Sequence, residues 1–206
     1  EKKLMQEALS EVIKDTFNMI SVDGDTSTND TVILMANGAA GNAQIDAEGP
    51  DYDTFCAALH GVMEGLSKMI AGDGEGCTCL FEVKVLNASS KQAARVLAKS
   101  VITSNLTKAA IFGHDANWGR ILCALGYSGA GFDPEIVDIF FESKAGRLKI
   151  VENGVSTGYS EEKATEILSQ EYVTAVCDMH DGTESATAWG CDLTYEYVKI
   201  NGDYRT

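Results

Sequence analysis

Helical and strand periodicities alternate along this chain, and that alternation restricts its fold more than any single motif does. Leu4, Met5, Ala8, Leu9, Val12 and Ile13 share one face of a helix over 1–15. Phe55, Leu59, Val62, Met63, Leu66 and Ile70 do the same over 52–71, with Asp51 or Asp53 as cap and Gly72-Asp73-Gly74-Glu75-Gly76 as the stop. Two-residue alternation predicts a strand over 78–86, and a helix follows over 89–104 with Ala93, Val96, Leu97 and Val101 inward. Residues 106–112 read as a central strand, because four of the seven are Ala, Ile or Phe in one run. A helix over 117–126 comes next. Beyond a glycine-rich stretch at 126–133 the elements shorten to strands 136–142 and 147–152, helix 160–170, strands 172–179 and 186–193, and a turn or helix at 194–200. This order predicts an α/β or α+β layered fold. The glycine-rich stretch marks a boundary between 1–126 and a smaller α/β domain, 127–206.

The stretch Phe17–Asn37, FNMISVDGDTSTNDTVILMAN, has a different character. Two β-branched runs, 17–22 and 31–36, read as strands either side of a polar turn. That turn, Asp23–Asp30, holds three carboxylates, three hydroxyls and one amide in eight residues, more than a hairpin needs. A self-capped loop is one reading, because Asp, Ser, Thr and Asn bond to nearby backbone amides. A calcium loop is another, but Thr28 stands where an EF-hand needs Gly and no Glu stands at the twelfth position. The third reading is the wall of an active site.

The chain carries 16 basic and 31 acidic residues, a net charge of −15, which opposes nucleic acid and anionic membrane as partners. No apolar run approaches the length of a membrane-spanning helix. The start, EKKLMQEALSEVIKD, is amphipathic and charged, unlike a signal peptide. Six cysteines include no CxxC pair. Cys56 and Cys123 fall in helical apolar patterns and read as buried thiols, and Cys77 and Cys79 lack a nearby His for a zinc site. No cofactor or metal is implied, and the chain reads as cytoplasmic and free of disulfides.

Four blocks, FN…VDGDTSTNDT, GDGEGCT at 72–78, GHDANWGRI at 113–121 and SATAWGCDLTYEYVKINGDYRT at 185–206, together resemble the β chain of the ornithine acetyltransferase (glutamate N-acetyltransferase) family, in family order and over essentially the whole chain. The resemblance implies transfer of acetyl from N2-acetylornithine to glutamate in arginine biosynthesis, with acetyl-CoA as a further donor in some members. It implies a precursor that cuts itself, a new N-terminal threonine as nucleophile, and its own α-amine as base. Glu1 stands first here, so the resemblance places that threonine upstream and implies no catalytic residue within the chain. It also implies an α chain that completes a layered α-β-β-α domain, and an α2β2 assembly. Three positions match substrate-binding positions of the family: Glu75, Asn201 and Thr206. Glu75 suits an ammonium group, and the Asn201 amide offers donor and acceptor to an amino acid.

Other residues are read structurally. Asp115 reads as a helix cap rather than half of a His114–Asp115 pair. Arg120 suits a carboxylate or an ion pair, Met179–Gly182 a turn, and Trp189 the core. Two rival functions remain: a hydrolase of the N-terminal-nucleophile aminopeptidase type, and a non-catalytic structural fragment.

Overall fold

The computed structural model describes residues 1–205. Among them seven helices and seven strands form a mixed α/β fold. In chain order they are α1 (Lys2–Val12), β1 (Ile20–Ser21), α2 (Pro50–Gly72), β2 (Leu80–Ala88), α3 (Lys91–Ile102), α4 (Asn105–Phe112), α5 (Trp118–Gly126), β3 (Asp138–Ser143), β4 (Gly146–Glu152), β5 (Val155–Ser156), α6 (Glu161–Leu168), β6 (Tyr172–Asp178), β7 (Glu184–Cys191) and α7 (Tyr195–Asp203). All the strands join one sheet in the order β1-β7-β2-β6-β3-β4-β5. β2 runs parallel to β6 on one side and antiparallel to β7 on the other. Strands from both sides of residue 127 therefore share this sheet.

Alternation along β2 sorts the two faces. Phe81, Val83 and Val85 are fully buried beneath Ala94, Leu97, Ala98 and Val101 of α3. Gly190 stands opposite Phe81, and a Cβ there would lie 2.9 Å from Ile102 Cγ1, so glycine lets α3 settle onto the sheet. On the other face Glu82 pairs in register with Trp189, and α2 covers them with Lys68 Nζ 5.8 Å from the Trp189 ring centre. Side-chain caps start the helices after the sheet's first crossover. Ser90 accepts from Ala93 N, Ser104 from Thr107 N, Asn117 from Arg120 N and Ser160 from Lys163 N. Arg95 on α3 grips Asp15 through two bonds of 2.8 Å and so fixes the turn leading into β1.

Four expectations are corrected. Residues 106–112 form helix α4, not a central strand. The Ser104 cap starts it, and a short run with Thr107, Lys108, Ala110 and Ile111 buried does not distinguish helix from strand. Of the two strands expected around the polar turn, only Ile20–Ser21 pairs, after a 3₁₀ turn at Phe17–Met19. Residues 31–36 belong to no strand, and Ile33 and Met35 are 71% and 84% exposed. In α2 the inward face is Met63, Ser67 and Ala71, whereas Val62, Leu66 and Ile70 face outward. The C-terminal part of the apolar stripe of this helix is thus left largely exposed. Cys56 is half-buried and Cys123 exposed, so neither is a core thiol, and all six cysteines are free.

Candidate functional site

A polar corner gathers where α2 ends, β2 begins and β7 passes into α7. The loop Gly72–Gly76 turns α2 back into the sheet. Gly76 has φ +65°, and a Cβ there would lie 2.9 Å from both Glu196 Cβ and Tyr197 N. Glycine therefore provides the turn and also allows α7 to sit against the loop. Thr194 locks the contact: its hydroxyl donates to the Gly76 carbonyl at 2.7 Å and accepts from Tyr197 N at 3.2 Å, capping α7.

Held this way, α7 delivers Asn201 to Glu75. Asn201 Nδ2 donates to Glu75 Oε2 at 2.7 Å and to the Tyr197 carbonyl at 3.0 Å. The two residues stand 126 positions apart in sequence, and both are solvent-exposed. Thr206 lies outside the described residues. One turn earlier, Tyr197 Oη donates to Asp23 Oδ2 at 3.0 Å, which ties the polar turn to the same helix. Burial and the Asp23 carboxylate both push the Tyr197 phenol up, so it stays a donor at neutral pH. Within the turn, Asp25 N donates to Asp23 Oδ1 at 2.9 Å and Asn29 N to Ser27 Oγ at 3.1 Å, so the loop is self-capped and also faces the corner.

Behind the corner lies a buried layer. Asp192 is 3% exposed; its carboxylate accepts from Thr78 N at 2.8 Å, Thr78 Oγ1 at 2.6 Å and Cys79 N at 3.1 Å. Cys77 is pushed up by burial and then by Asp192, Cys79 rises to about 12, and Cys191 rises to about 11. These thiols are protonated at neutral pH and are poor nucleophiles. Among the described residues, no group of three or more His, Cys, Asp or Glu is placed to hold a metal ion. Chemically, the corner offers an exposed carboxylate and a neighbouring amide, a pair suited to an ammonium group beside a hydrogen-bonding one.

The remaining candidates fall elsewhere. Asn117, not Asp115, caps α5, and Asp115 Oδ2 accepts from Asn117 Nδ2 at 3.1 Å. His114 faces Ser169 Oγ at 3.4 Å rather than Asp115. Arg120 donates to the Leu106 carbonyl at 2.8 Å, which holds α5 to α4 instead of binding a carboxylate. Trp189 is 2% exposed, as a core residue should be. Reading by sequence missed Thr194, Tyr197 and Asp192. Thr194 carried a signal, a threonine just before a helical run, but the partners of Asp192 lie 113 and 114 residues away.

A model of the ArgJ family matches residues 1–206. The chain belongs to the ArgJ family. It is 56% identical over 205 residues to "Arginine biosynthesis bifunctional protein ArgJ 1" of Clostridium acetobutylicum, covering 100% of this chain and 50% of that protein. It is 51% identical over 205 residues to the ArgJ protein of Thermotoga neapolitana, covering 98% of this chain and 52% of that one. A crystal structure of the ArgJ protein of Bacillus halodurans superposes with a TM-score of 0.93 at 46% identity, covering 99% of this chain and 94% of the crystallised one. The chain thus spans about half the length of the curated ArgJ relatives it matches.

Proposed function

We propose that this chain is the β half of a two-chain acetyltransferase of arginine biosynthesis, moving acetyl from N2-acetylornithine to glutamate. Its partner is the α chain of the same precursor, which completes a layered α-β-β-α domain, and the assembly is α2β2. On this reading the nucleophile is a threonine of the same precursor, ahead of Glu1. Its hydroxyl attacks the acetyl carbonyl, the carbon–nitrogen bond breaks, and ornithine leaves with the proton. The glutamate amine then attacks the acetyl ester and restores the hydroxyl. Acetyl-CoA enters as an additional donor to the same threonine. Thr206 joins Glu75 and Asn201 in the substrate pocket, and the enzyme works in the cytoplasm. Among the described residues, no helix is long and apolar enough to cross a membrane.

The observation that carries this reading is the Glu75–Asn201 pair, joined at 2.7 Å, in a chain that matches the ArgJ family from end to end. Ornithine carries two amino groups and acetylornithine retains one of them free, so an exposed carboxylate is the fitting counterpart. Glu75→Gln keeps shape and removes the charge. Hydrogen bonds to charged groups contribute roughly 1.5–3 kcal/mol. In enzyme made from the full precursor, kcat/KM for acetylornithine should fall roughly ten- to a hundredfold, with precursor cleavage and melting temperature unchanged. Unaltered kinetics would remove Glu75 from the site.

A further inference from the structure

Lys108 lies on α4, behind the corner, and is 1% exposed. Among the described residues it is the one buried lysine. Its ammonium donates to the carbonyl of Cys191, the last residue of β7, and lies 3.7 Å from Cys191 Sγ. Its own carbonyl accepts from Leu193 N at 3.3 Å. One residue thus grips both sides of the corner through which β7 passes into α7. An ammonium in such a place is costly, and a methionine would fill the same space without that cost. Burial pushes the Lys108 ammonium down, opposed by Cys191, Asp192 and Asp23, the acidic side of the corner.

The contacts continue outward without a gap. Leu193 leads to Thr194, whose hydroxyl binds the Gly76 carbonyl and caps α7. From α7, Asn201 reaches Glu75 and Tyr197 reaches Asp23. Lys108 touches neither Glu75 nor Asn201 and is itself closed to solvent. Its effect on them must pass through the corner. We propose that Lys108 is a positioning residue that sets the β7–α7 corner and, through Thr194 and α7, the placement of Asn201 against Glu75.

The kinetic arm of the test rests on the substrate role proposed for that pair, and the exchange arm does not. In enzyme made from the full precursor, Lys108→Met should lower kcat/KM for acetylornithine roughly tenfold. In an Asn201→Ala background the same change should lower it by less than about threefold, because the two residues act along one path. A merely structural role would multiply in full. Hydrogen exchange supplies the second arm: amides of 195–203 should exchange about tenfold faster in Lys108→Met, with those of α3 and α6 unchanged. If Lys108→Met yields too little folded enzyme, Thr194→Val cuts the same path without touching a buried charge and should give both results. Full multiplication of the kinetic effects, or unchanged exchange in α7, overturns the proposal. If Glu75→Gln and Asn201→Ala leave kinetics untouched, the substrate reading fails, and the α7 exchange still decides the role of Lys108.

Discussion

Four donors converge on the buried carboxylate of Glu82. They are Tyr172 Oη and Trp189 Nε1 at 2.7 Å, Lys84 Nζ at 2.9 Å and Thr174 Oγ1 at 3.3 Å, from three neighbouring strands. Burial alone would raise this carboxyl; the bonds from Tyr172, Lys84 and Trp189 outweigh it and hold the group below its ordinary value of 4.5. A folded pKa below the unfolded one means that the unfolded chain binds more protons in between. Stability from Glu82 is therefore complete above about pH 4.5 and is lost as the pH falls through the lower folded value. Glu82→Gln should cost roughly 2 kcal/mol at neutral pH, lowering the melting temperature by several degrees. That gap should close as the pH drops well below 4. Melting curves of both proteins across pH 3–7 check this, and a gap independent of pH would show that the charge is not what stabilises the network.

At the scale of elements, what was legible in the sequence depended on whether the partner lay nearby. Helices α1, α3, α5 and α6 and strands β2, β3, β4, β6 and β7 follow from periodicity, because each buries one face against neighbouring elements. Residues 106–112 misled because α4 is short, with Thr107, Lys108, Ala110 and Ile111 buried. Residues 31–36 misled because much of their apolar content stays exposed, above all Ile33 and Met35. The outward stripe of α2 is the same case: Val62 is 61% exposed, Leu66 44%, Met69 70% and Ile70 51%. On the two-chain reading proposed above, the occupant of that stripe is the other half of the precursor. Met69→Glu should leave the fold of this chain within about 0.5 kcal/mol, as surface changes do. In the full precursor product it should weaken association of the two halves roughly tenfold or more. Size measurement by dilution checks it, and unchanged association would free the stripe of that role.

For the whole molecule, family membership was legible from blocks spread over the chain. The juxtaposition of Glu75 with Asn201 was not, since it depends on α7 folding back over a loop 126 residues earlier. The fold places an exposed carboxylate, an amide and a capped terminal helix at one corner, supported from within by Asp192 and Lys108. The central claim is transfer of an acetyl group between amino acids. It is tested most directly by following labelled acetyl from N2-acetylornithine in purified two-chain enzyme, with and without glutamate. The account predicts N-acetylglutamate formed one for one with ornithine, and turnover that depends on glutamate. Free acetate released at a rate indifferent to glutamate would contradict it and make the protein a hydrolase.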